Sequence, residues 1–122
     1  MAVSAEYKAF INEMLEPIGG VSIRGMFGGG GVFCQGVMFG LIADERLYFK
    51  VDDGLQTELE AEGSEPFTYE AKGGKRGVMS YYEAPERCYD DQDDMLDWAR
   101  KALEAAFRED AKKPKSKQKR TG

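Results

Sequence analysis

Between Val21 and Val51 the chain turns back on itself every few residues, and this limits the possible folds more than any other feature. Val21-Ser22-Ile23-Arg24 alternates, and the glycine run Gly28 to Gly31 follows. Val32-Phe33-Cys34 extends, Gln35-Gly36 turns, and Met38 to Ile42 extends again. Ala43-Asp44-Glu45 is a tight polar turn, and Arg46 to Val51 extends after it. Turns this short join antiparallel neighbours, because parallel strands need long crossovers. In the last segment Leu47, Phe49 and Val51 share one face, and Arg46, Tyr48 and Lys50 share the other.

Helical periods flank this meander. Tyr7, Phe10, Ile11, Met14, Leu15 and Ile18 form one stripe of a helix capped by Ser4 and running to about Glu16. Pro17 and Gly19-Gly20 stop it. Asp52 or Asp53 caps a short helix anchored by Leu55 and Leu59 and ended by Gly63. Phe67 to Ala71 and Val78 to Glu83 read as two more strands around a Gly73-Gly74 loop, and Pro85 closes the second. The acids from Asp90 to Asp94 open a final helix, where the macrodipole favours negative charge. Its wide stripe of Met95, Leu96, Trp98, Ala99, Ala102, Leu103, Ala106 and Phe107 makes it the main cover of the sheet. The expected fold is a two-layer α+β domain in the order α-β-β-β-(β)-α-β-β-α, an antiparallel sheet of about five strands covered by helices.

The charges divide the 122 residues in two. Residues 1–111 hold all 22 acids and 11 of the 17 bases, a net charge of −11. The other six bases are Lys112, Lys113, Lys115, Lys117, Lys119 and Arg120. We expect a folded domain over 1–110 and a disordered basic tail over 111–122. The acidic body repels polyanions, so nucleic acid is expected to bind only weakly or indirectly, through the tail with Lys72, Lys75 and Arg76.

The composition excludes several chemistries. There is no histidine, hence no imidazole general base, metal ligand or pH switch. Cys34 and Cys88 are far apart and outside any CxxC spacing. Cys34 reads as a buried small hydrophobe; Cys88, before the last helix, reads as half exposed and the better candidate for oxidation. The acids from Asp90 onward lack the glycine and glutamate of a calcium loop. No apolar stretch reaches a membrane span, and residues 1–8 show no basic region followed by an apolar run, so no signal sequence is expected. The expectation is a cytoplasmic protein with reduced thiols and no catalytic, cofactor or metal site.

The glycine run lacks the lysine and following helix of a phosphate loop, so it reads first as a β-turn or bulge. An anion-binding nest with Arg24 is the alternative. Arg24, Arg46, Lys50 and Arg76 with Tyr48, Tyr69, Tyr81 and Tyr82 suggest a basic and aromatic sheet face. Such a face suits a protein partner or a dimer, or stacked single-stranded bases.

Several segments together resemble a known family. Arg24-Gly25-Met26-Phe27-Gly28-Gly29-Gly30-Gly31-Val32-Phe33, Gly36 to Ile42, Leu47 to Asp52, Met79 to Pro85 and Leu96 to Arg100 are similar to the TfoX/Sxy N-terminal domain over roughly residues 6–108. The resemblance implies a small domain built like secretion chaperones and no catalytic residue set. It implies a regulatory or adaptor role by protein contact, as in competence regulators that act with the transcription machinery. It makes Arg24, Gly25, Met26, Phe27, Gly28 and Gly29, with Tyr48, Lys50, Tyr81 and Tyr82, an interaction or loop signature. Full-length competence regulators carry a second domain where this chain has its lysine-rich segment. Small-molecule or anion binding at the glycine loop, and weak nucleic-acid binding by the tail, stand as alternatives.

Overall fold

The meander forms as four full strands. The structure, a computed structural model, describes residues 5–26, 29–70 and 76–112. Helix α1 spans Ala5–Met14 and passes through a 3-10 turn at Glu16–Ile18 into β1 (Val21–Met26), β2 (Gly29–Cys34), β3 (Val37–Ala43) and β4 (Arg46–Lys50). Helix α2 (Asp53–Ala61) leads to β5 (Pro66–Glu70) and β6 (Arg76–Glu83). A 3-10 turn at Glu86–Tyr89 then feeds the long helix α3 (Gln92–Ala111). The sheet has six strands in the order β1-β2-β3-β4-β6-β5, one more than about five, and every neighbouring pair is antiparallel.

The two tight hairpins turn through left-handed backbone. Gln35 and Gly36 have φ of 53° and 79°, and Asp44 and Glu45 have 52° and 56°. Positive φ at both central residues matches the right-handed twist of the flanking strands. Between β2 and β3 the pairs Val32–Gly40 and Phe33–Met38 leave Phe39 as an extra residue, so the ladder carries a bulge there.

The glycine run corrects the sequence reading. Gly29, Gly30 and Gly31 lie within β2, paired to β1 on one side; Gly30 and Gly31 also pair to β3 on the other. Close backbone approach requires glycine at Gly29. A Cβ on Gly29 would fall 2.1 Å from the Ile42 carbonyl oxygen, whereas one on Gly30 would make ordinary contact with Ile23 Cγ2 at 3.4 Å. Phe27 and Gly28, and the Ser4 cap, lie outside the described residues.

Both later helices start on aspartate caps. Asp91 accepts from the Asp93 and Asp94 amides, so the acidic run serves the start of α3. Asp52 accepts from the Leu55 amide at 2.9 Å and also from Arg108 of α3, which ties the two helices. These donors hold the Asp52 carboxyl below its ordinary 3.8, the Leu55 amide contributing most. Because the folded value is the lower one, this contribution is complete above about pH 5 and fades as the pH falls through the ordinary value and then the folded one. Asp52→Ala is expected to cost about 0.5–2 kcal/mol near neutral pH. Urea melts should show the wild type converging on the variant as the solution is acidified.

The core lies between one sheet face and the three helices. Val32, Ile42, Leu47, Phe49 and Tyr82 of the sheet meet Ile11 of α1, Leu55 and Leu59 of α2, and Met95, Trp98, Ala99 and Ala102 of α3. Cys88 belongs to this core and is fully buried, which corrects its half-exposed reading. Burial and the neighbouring Asp94 carboxylate push its thiol up to about 12, so it is a poor nucleophile. Cys34 is buried as expected.

Candidate functional site

No described helix packs over the opposite face of the sheet, and that face gathers the described basic strand side chains with several of the aromatic ones. Register places Arg24 opposite Gly31, Ser22 opposite Phe33, Leu41 opposite Tyr48, Tyr48 opposite Glu83, and Lys50 opposite Tyr81. Phe67 of β5 joins them, its ring meeting that of Tyr48 edge-on at 5.1 Å. Cations cover the outer rings. The Arg24 guanidinium lies 5.0 Å from the Phe33 ring centre, and the Lys50 ammonium lies 5.5 Å from that of Tyr81.

The result is a half-buried apolar layer. Leu41 and Tyr81 are 8% and 7% exposed although neither belongs to the main core. Phe33, Tyr48 and Phe67 are half-buried around them. Burial alone pushes the Tyr81 hydroxyl up to about 12, and burial with the Glu83 carboxylate raises that of Tyr48. Both are neutral hydrogen-bonding groups at neutral pH.

A cleft opens at one end of this face. The last β3–β4 pair is Gly40–Phe49, yet β3 begins at Val37 and β4 runs to Lys50, so the strands part there. The gap is a cavity of about 370 Å³ whose lining includes Phe33, Met38, Lys50, Tyr81 and, from α3, Ala106 and Glu109. Lys50 is only 18% exposed and stands 4.0 Å from Glu109, at the outer limit of an ion pair. At the other end Arg46 donates to Glu83 at 3.1 Å. A larger cavity of about 490 Å³ lies beyond it and includes the carboxylates of Glu45, Glu62, Glu83 and Glu86 in its lining.

The structure separates the residues singled out in sequence. Arg24, Tyr48, Lys50 and Tyr81 come together, with Arg46 beside them. Tyr82 does not: it pairs with Phe49 on the covered face, and its hydroxyl donates to Glu60 of α2 at 2.8 Å. Gly25 and Met26 end β1, and Gly29 opens β2 within the sheet. Neither of the two cavities above is lined by Arg24 or the glycine run. Tyr69 and Arg76 fall in β5 and β6. Lys72, Lys75, Lys113, Lys115, Lys117, Lys119 and Arg120 lie outside the described residues, while Lys112 caps the end of α3. Phe33, Leu41, Phe67 and Glu83 complete the face, and of these Leu41 and Phe67 were not singled out. Period-two alternation held the signal for Phe33, because it falls on the side of its strand opposite Val32 and Cys34.

Among the described residues no group of three or more histidine, cysteine or carboxylate side chains is arranged to hold a metal ion. None of the described helices is long and apolar enough to cross a membrane. A search of the curated proteins finds no match. The family model of the TfoX N-terminal domain matches residues 13–106, from the end of α1 through most of α3, with the whole sheet between. A match over that span, on a fold whose helices cover one face of an antiparallel sheet, shows that the chain belongs to the TfoX N-terminal domain family.

Proposed function

We propose that this domain is a non-enzymatic regulatory or adaptor module that works by protein contact through the uncovered sheet face. The observation that carries this reading is the half-buried layer of Phe33, Leu41, Tyr48, Phe67 and Tyr81, which no described helix covers. A partner gains by removing the remaining apolar area from water, and aromatic side chains with flanking arginine suit the centre of a contact. Family membership supports a regulatory role, and a competence- or transcription-related one is the form we favour.

The test is photo-crosslinking in the native cell from a benzoylphenylalanine placed at Ser22, an exposed position on the face, with Glu104 on the outside of α3 as the control site. The expected result is a discrete protein adduct from position 22 that is absent from position 104 and lost when Tyr48→Ala and Phe67→Ala are combined. Identical adducts from both positions, or none from position 22, would overturn the reading.

A further inference from the structure

The charges of the uncovered face identify the kind of partner it suits, given that it is a contact face. Arg24, Arg46, Lys50 and Glu83 are the charged residues among the described strand side chains, and register places all four on this face. Three cations against one anion stand out in a body that carries −11. Arg46 and Glu83 neutralise each other. Arg24 rests on Phe33, with no carboxylate paired to it among the described residues. Among the described residues Lys50 has one ion-pair partner, the distant Glu109, and it borders the cleft where β3 and β4 part, whose α3 wall also includes Asp110.

We propose that the face binds an acidic segment of another protein, with carboxylates meeting Arg24 and Lys50 and an aromatic or branched aliphatic side chain entering the cleft beside Phe33, Met38 and Tyr81. Charge complementarity selects this occupant over two others. A second copy docked face to face would set the same excess of strand cations against itself. Single-stranded nucleic acid needs flat, open rings for stacking. Here Arg24 and Lys50 sit over two of the rings, and Tyr48 and Phe67 meet edge to face. A long polyanion also meets the field of the acidic body, whereas a short segment feels mainly the local cations.

The experiment pans a random linear peptide library against the purified chain and measures the consensus peptide by fluorescence anisotropy. We expect peptides rich in Asp and Glu beside Trp, Phe or Leu. Arg24→Glu and Lys50→Glu should each weaken binding about tenfold, or about 1.4 kcal/mol. Glu104→Lys, away from the face, should leave it unchanged. Arg24 is exposed, so its reversal tests the contact without disturbing the core. Enrichment of basic or uncharged peptides, no enrichment, or indifference to both reversals would overturn the proposal. So would a dimer in sedimentation that Arg24→Glu dissociates, or tighter binding to labelled oligothymidylate than to any peptide. A persistent crosslink from position 22 alongside any of these outcomes would retire the acidic-segment proposal and leave the contact face standing.

Discussion

Replacing Phe49 with alanine is expected to remove about 3–5 kcal/mol of stability, the usual range for truncating a buried aromatic ring. A domain of this kind holds about 5–15 kcal/mol in total, so the loss takes a large share of it. Phe49 is fully buried near the end of β4, where it pairs with Gly40 on one side and Tyr82 on the other. The site cannot readily collapse. Gly40 has no side chain to move into the void, and the strand holding it is tight: a Cβ there would already lie 3.1 Å from Val32 Cβ. The cavity therefore persists, and its cost adds to the lost transfer energy of the ring. Urea denaturation should show a lower midpoint with an unchanged slope. The same truncation at Tyr48, on the uncovered face, removes a ring that is still partly in water and should cost less. Equal losses at both positions would mean that the second face is as buried as the first.

The contrast between Phe49 and Tyr48 was legible in the sequence, because alternation along β4 puts neighbours on opposite faces whatever the rest of the chain does. So were the tight turns, a cap at Asp52 or Asp53, of which the structure uses Asp52, and the anchors Leu55 and Leu59. The pair Tyr81 and Tyr82 shows where such reading stops. Alternation says that they face opposite ways, but two adjacent tyrosines do not say which is inside. Pairing decides it: Phe49 sits opposite Tyr82, and Lys50 sits opposite Tyr81. Gly29 fails for a related reason. Its need for glycine comes from the Ile42 carbonyl on the neighbouring strand, a contact between residues far apart in the chain. Cys88 looked exposed because its segment has no period of its own. It is buried because a 3-10 turn folds that segment onto the core ahead of α3. For the candidate face, the basic and aromatic residue types were visible, whereas the absence of a helix over them is a property of the packed layers.

Tyr89, in that 3-10 turn, carries a contact that no local pattern announces, and Tyr89→Phe is expected to cost about 1–3 kcal/mol. The strand β6 ends at Glu83, one residue short of the position beside Leu47. The Ala84 amide still donates to the Leu47 carbonyl at 2.8 Å, but the Leu47 amide takes its acceptor from a side chain. It donates to the Tyr89 hydroxyl at 2.9 Å. Leu47 is fully buried, so removing that hydroxyl leaves a backbone donor with neither a partner nor water. Phenylalanine keeps the ring, including its stacking on Phe10 at 6.5 Å, so the loss isolates the hydrogen bond. Amide exchange is the sensitive readout: protection at Leu47 should fall by roughly 5- to 150-fold, the equivalent of that energy. Tyr7→Phe is the control, since the Tyr7 hydroxyl reaches Tyr89 only at 3.4 Å and does not touch the Leu47 amide. It should leave Leu47 protected. Unchanged exchange at Leu47 in Tyr89→Phe would mean that water reaches the start of β4. The larger acidic cavity, which includes Tyr89 in its lining, would then extend to the backbone of the sheet.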